Sequence, residues 1–350
     1  MNASRTWVSV FVVVGLLAGT ASAVNIAAVP VGNAGNAGEL SGAGAGGYGP
    51  DRICGAVDYT YNIGKYEVTA GQYTEFLNKV GGVDTYGLYN AGMSSTSYGS
   101  GITRSGTSGN YTYSVASDYA NRPVNWVSWG DSARFANWLT NGQPTGTLTG
   151  NPAQDAWLTE DGSYYLNGAT SDEALMAVTR KANATWVIPS EDEWYKAAYH
   201  KNDGVTGNYF DYPTSSDTAP GRDMADVSGN NANYYTGSGP YPIDSGKYTT
   251  VVGEFQNSAS PYGTFDQGGN VWEWNESVLY GSYRGLRGGS FGLNDFYLRA
   301  AGRIDFRYPT IEGGDGIDGL GFRVAEVPEP CSALMVVVGA FGLASGRRRG

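Results

Sequence analysis

Residues 265–277 read "FDQGGNVWEWNES". Val271 and Glu273 alternate with Trp272 and Trp274, the period of two expected of a half-buried strand, and both tryptophans are expected in a core. Working outward, "TWVIP" (185–189) and "GFRVA" (321–325) read as further short strands. Three helices can be placed with a mechanism. In "EVTAGQYTEFLNKV", Thr69 and Gln72 form a capping box, and Tyr73, Phe76, Leu77 and Val80 follow at helical spacing. "SWGDSARFANWL" offers Ser128 or Asp131 as cap, with Ala136 and Leu139 on one face and Phe135 and Trp138 beside them. "IPSEDEWYKAAYH" has Ser190 and Glu193 as a box, then Trp194, Ala197 and Ala198 on one face. The Tyr/Ser/Gly/Asn-rich stretches near 81–120, 141–175 and 201–225 are expected as surface insertions. The pattern predicts one irregular α+β domain over residues 55–326, its core held by aromatics.

Composition narrows the chemistry. The chain has 350 residues and a formal charge of -11, with 53 Gly, 26 Tyr and 9 Trp. No basic stripe exists to neutralise phosphates, so nucleic acid is excluded as a partner. A single histidine, His200, rules out a centre built from several histidines of one chain. Cys54 and Cys331 are the only cysteines, so no disulfide framework is expected.

Both ends read as addresses. Residues 1–23 carry Arg5, the apolar run "WVSVFVVVGLLAG" and a small-residue "ASA" site, the pattern of a secretory signal peptide. Residues 24–54 are rich in Gly, Ala and Asn and are expected as a flexible lead-in. Residues 327–350, "VPEPCSALMVVVGAFGLASGRRRG", join a Pro-Glu-Pro motif to an apolar stretch and three terminal-region arginines. This resembles the PEP-CTERM sorting tail. The resemblance implies export, transient membrane anchoring and processing by an exosortase-type enzyme, with residence at the cell envelope or extracellular surface.

Seven segments occur in a telling order: "YNIGKYEVTAGQYTEFLN", "RPVNWVSWGDSARFANWL", "WVIPSEDEWYKAA", "FDQGGNVWEWNES", "LRGGSF", "RAAGR" and "GLGFRVA". Together they resemble the formylglycine-generating enzyme (sulfatase-modifying factor) family across residues 60–325. The resemblance implies an irregular C-type-lectin-like fold with low regular secondary structure and several short helices. It also implies an oxidation run by two closely spaced cysteines that hold copper and a substrate thiol, because soft thiolates select Cu(I). Carried over by position, those cysteines fall at Asp295 and Ala300, and no cysteine occurs from 286 to 326. No copper is therefore expected. Gly288, Gly289, Ser290, Arg299 and Arg303 would keep the frame of the old groove.

The family's two calcium sites, made of hard oxygen ligands, carry over in the same way. One maps to Asn233, Tyr234, Asp244 and Gly246. The other maps to Asp266, Gln267, Gly269 and Val271, with Glu273 nearby. Calcium is expected at one or both. The resulting expectation is a non-catalytic exported module that binds a glycan, peptide or protein ligand. Two alternatives stand beside it: an enzyme of altered chemistry using Asp295, Arg299, Arg303 and Asp305, and a structural envelope component. Whether Asp295 faces a cleft or pairs with an arginine separates binding from catalysis.

Overall fold

The computed structural model describes residues 23–237, 242–244, 246–304, 307–313 and 319–328. Most of the signal segment, the sorting tail from Glu329 onward with Cys331, and Asp305 lie outside the described residues. Among the described residues no helix is long and apolar enough to cross a membrane.

The strands are β1 Ala28–Val31, β2 Glu39–Ser41, β3 Arg52–Cys54, β4 Tyr61–Gly64, β5 Ile102–Ser105, β6 Thr112–Val115, β7 Trp186–Val187, β8 Trp272–Leu279, β9 Tyr283–Arg287, β10 Leu320–Gly321 and β11 Ala325–Glu326. The helices are α1 Ala70–Val80, α2 Trp129–Thr140, α3 Pro152–Asp155, α4 Asp172–Met176 and α5 Glu191–Tyr199. Most elements are short, and the fold is a mixed α+β assembly of small sheets. One antiparallel sheet has the order β1-β4-β11-β7. Another has the order β10-β8-β9, with β10 parallel and β9 antiparallel to β8.

The predicted helices form where their caps say they should. Thr69 with Gln72, Ser128 with Asp131, and Ser190 with Glu193 each make both bonds of a capping box. Of the two candidate caps on α2, Ser128 is the one used. The face carrying Tyr73, Phe76, Leu77 and Val80 is fully buried against Phe135, Trp138 and Phe322.

Three expectations need correction. The alternation in β8 marks no half-buried strand: Val271, Trp272, Glu273, Trp274 and Asn275 are all buried, so both faces of the segment are covered. α2 and α5 are likewise buried nearly all round rather than amphipathic. Their polar side chains are accommodated by internal pairing, as Arg134 is with Glu160 at 2.7 Å. Nor is the stretch from residue 24 a free lead-in. β1 pairs with β4 in register Val29↔Ile63 and Val31↔Tyr61, and Val31 is fully buried. Its alternating "VPV" is a true edge strand, where a proline is tolerated; the surrounding Gly/Ala composition hid it.

Candidate functional site

The region around the predicted groove is built on the start of α5. Ser190 caps the helix, which places Glu191 at its first position, where the helix dipole favours a carboxylate. Glu191 is buried and gathers three guanidinium groups. Arg287 Nε donates to it at 2.9 Å, Arg303 NH2 at 2.5 Å and Arg52 NH1 at 2.8 Å. Burial alone would push its carboxyl up; the arginines outweigh burial and hold it below the usual range. Arg287 also donates to the carbonyls of Ala300 and Gly302, both at 2.8 Å. After Arg287 the chain turns through Gly288 and Gly289 at φ +97° and +74°, values that favour glycine. A Cβ on Gly288 would meet the Gln267 carbonyl oxygen at 2.7 Å, so the expected tight turn is both conformationally and sterically demanding. Ser290 is buried just beyond it.

Ala300 is buried in a cluster with Cys54, Trp194, Tyr195, Ala198, Tyr199 and Tyr209. Cys54, distant in sequence, is thus a spatial neighbour of this position. Its thiol receives Arg287 NH2 at 3.4 Å. Burial first, and then the Glu191 charge, push the Cys54 thiol up to about 11, despite the nearby arginines. A buried thiol that resists ionisation is neither a ready nucleophile nor a ready metal ligand.

Asp295 lies apart from Ala300's cluster. It opens a 3-10 turn, Asp295–Leu298, with a third of its side chain exposed. Its carboxylate accepts from Tyr212 Oη at 3.2 Å and pairs with Arg299 NH2 at 3.5 Å. Arg299 also donates through Nε to Tyr212 Oη at 3.0 Å. Arg299 is therefore no frame residue: its side chain is 42% exposed and serves the Asp295–Tyr212 pair. Arg303 does belong to the frame, through Glu191. Of the acid–base cluster expected of Asp295, Arg299, Arg303 and Asp305, the three described residues do not assemble, because Arg303 is committed to Glu191; Asp305 lies outside the described residues. Sequence reasoning passed over Glu191 and Arg287. Their signal was the acid directly after a helix cap and the arginine directly before a glycine pair.

The two calcium positions fare differently. At the first, the Asp244 carboxylate is bound by Arg122 NH2, whose guanidinium also donates to the Thr249 carbonyl. Asn233 Nδ2 donates to the Tyr248 carbonyl at 2.8 Å. Tyr234 is buried, with its hydroxyl on the Pro220 carbonyl at 2.5 Å, and the Gly246 carbonyl accepts from Ser97 Oγ at 3.4 Å. A cationic arginine already meets the acid there, so these residues do not fit calcium.

At the second position Glu273 is sealed by Arg323, at 2.6 and 2.7 Å, and by Trp194 Nε1 at 2.7 Å. Gln267 is tied to Thr264 and to the Trp194 carbonyl. Gly269 and Val271 are buried in the turn leading into β8. Asp266 differs: its Oδ2 accepts the Gly253 amide at 2.6 Å, and among the described residues no cationic group is hydrogen-bonded to it. Within its electrostatic reach lies Glu67, whose two carboxylate oxygens are buried without a partner. Burial raises both carboxyls, and the Arg323 charge bears on both, so of the residues carried over to this position Asp266 alone keeps a carboxylate oxygen that a calcium ion could take. No described group of three or more His, Cys, Asp or Glu is arranged around a metal; carbonyl or amide oxygens would have to complete the shell.

Residues 53–327 match the family model of the sulfatase-modifying factor enzyme 1-like domain. The chain belongs to that family. The structure of this sulfatase-modifying-factor-like domain is similar to that of Treponema denticola variable protein 1. The TM-score is 0.53 and the identity 19%, over 88% of this chain and 98% of that one. It is also similar to CarF, with a TM-score of 0.50 and 19% identity over 87% of this chain and 99% of that one. At such identity the likeness speaks to fold alone. No curated protein matches the sequence.

Proposed function

We propose that this sulfatase-modifying-factor-like domain is a non-catalytic binding or interaction module of an exported envelope protein, taking a glycan, peptide or protein ligand. One observation carries the reading. The two positions that the family resemblance gives to the reactive thiols hold a buried alanine and a surface aspartate engaged by Tyr212 and Arg299. Cys54 offers no substitute, since its thiol is buried and hard to ionise. The altered-enzyme reading loses its base with Asp295 paired. Export rests on the two terminal segments read from sequence, with an exosortase-type enzyme as the processing partner. Calcium is proposed at the second position, against Asp266 with Glu67 nearby, where it would supply charge balance and rigidity.

The test is twofold. The purified protein is expected to leave a cysteine-containing sulfatase peptide unoxidised in the presence of copper, as read by mass spectrometry. Elemental analysis is expected to find calcium and no stoichiometric copper. Aldehyde formation, or one copper per chain, would overturn the reading.

A further inference from the structure

The segment ahead of β1 is an anchored arm. Val24 and Ile26 pack against the core, while Ala23, Asn25 and Ala27 are exposed. Its backbone is held from several sides. Gln72 Nε2, in the first turn of α1, donates to the Asn25 carbonyl at 2.9 Å, and the Lys65 amide donates to the Ala27 carbonyl at 2.7 Å. Val24 is gripped at both of its backbone groups by one side chain, 119 positions away in sequence. Its nitrogen donates to Gln143 Oε1 at 2.6 Å, and Gln143 Nε2 donates to its carbonyl at 2.8 Å.

Gln143 is itself fixed. It stands just beyond the end of α2, with its amide on the Trp138 carbonyl at 2.9 Å. Its φ of +59° is a conformation that side chains other than glycine, asparagine and aspartate seldom adopt, and it persists only where its surroundings hold it. The clasp closes ahead of the β1 ladder, which starts at Ala28. Residues 21–23 read Ala-Ser-Ala, the small-residue site at which a leader would be removed, so the clasped nitrogen is the atom that removal would free.

We infer that Gln143 is the receptor for the α-ammonium group that leader removal leaves on Val24. The inference rests on the export part of the reading above. The cut hydrolyses the Ala23–Val24 peptide bond: water adds across it, the carboxylate departs on Ala23, and the Val24 amine takes up a proton. An ammonium group keeps the bond to Gln143 Oε1 and makes it charge-assisted, stronger than the bond from an amide. Val24 is only partly buried, so water meets the remaining donors. The end of α2 favours a cation through the helix dipole, and the net charge of -11 acts in the same sense. A cut upstream would carry the charge away from the clasp, and a cut downstream would remove the clasped residue. Processing at this bond thus completes the anchor of the arm.

The test compares two purified chains, one starting at Val24 and one at Ala23, each released from a carrier by a protease that leaves no residue behind. The second keeps an amide at Val24. At about pH 6, below the ordinary α-amino pKa of about 8, the chain from Val24 is expected to melt roughly 2 °C higher. Gln143→Asn tolerates the same backbone conformation but is one methylene too short for the clasp. It should lower the Tm of the chain from Val24 and erase the difference between the two. Export of the full chain should release a product that begins at Val24, as read by intact mass. Equal Tm values, a difference that survives Gln143→Asn, or an exported product that begins at another residue would each overturn the inference. A full chain that keeps its leader would instead defeat the export reading, on which melts of chains made without a leader do not depend.

Discussion

At the scale of single residues, Glu191 is the pivot of the region that the family resemblance would make an active site. Three arginines from β3, β9 and the segment after residue 300 converge on one buried carboxylate. Removing its charge leaves Arg287 and Arg303 buried without compensation. The expected cost of Glu191→Gln is about 3–5 kcal/mol. Urea denaturation checks it, and a loss under about 1 kcal/mol would mean that water or carbonyls already satisfy the arginines. The same residue shows where sequence reading stops. That "PSEDEW" begins a helix was legible from its capping box. That its first acid would face Arg287, 96 positions on, was not, because pairing partners are set by tertiary contact. Cys54 teaches the same lesson in reverse: remote in sequence, it lies beside Ala300.

At the scale of elements, local chemistry did more. The three capping boxes located three helix starts because their hydrogen bonds lie within four residues of chain. Strand character was harder to read. β8 looked half-buried since the glutamate in it reads as solvent-facing, yet Glu273 is buried on Arg323. β1 was missed because its two valines are embedded in low-complexity sequence. Ser190 offers a direct measure of how much the α5 cap matters to the region. Its hydroxyl accepts the Glu193 amide at 3.1 Å, and Glu193 returns a bond to the Ser190 amide at 2.6 Å. Ser190→Ala removes the first and keeps the second. The expected loss is about 1 kcal/mol, well below that of Glu191→Gln. If chemical denaturation gives the two variants equal losses, the cap and the ion pair are not separable and Glu191 depends on the cap for its position.

At the scale of the whole molecule, an acidic chain with several buried carboxyls has a stability that depends on pH in a calculable direction. Burial raises Glu39 from the usual value of 4.5 to about 7, although Tyr195 donates to it at 2.7 Å. Burial, with the Asp131 charge behind it, raises Glu312 to about 8. A carboxyl raised on folding contributes stability that is complete below its unfolded pKa and is lost as pH climbs through the folded one. Both contributions therefore fade between pH 4.5 and about 8. Glu191 and Glu193 act oppositely: their arginine partners hold them low, so their contribution is present above the ordinary carboxylate range and disappears in acid. His200, lowered mainly by burial, also favours the folded state more as pH rises, but only up to its ordinary value of 6.5. Lys196, lowered by burial to about 8, begins to oppose the trend above that pH. In the interval from pH 6.5 to 8 Glu39 and Glu312 therefore lower stability as pH rises, and the buried Glu67, also raised, acts in the same direction. The partial exposure of Glu39 and Glu312 screens their effect to about 1 kcal/mol, which corresponds to a fall in Tm of roughly 2–4 °C. Thermal melts at pH 6.5 and 8 measure it, with Glu39→Gln as the control that should flatten part of the slope. A Tm that holds level or rises over that interval would mean that neither carboxyl is protonated in the folded protein, and that the hydroxyl of Tyr195 and the amide of Asn90 suffice to keep both ionised.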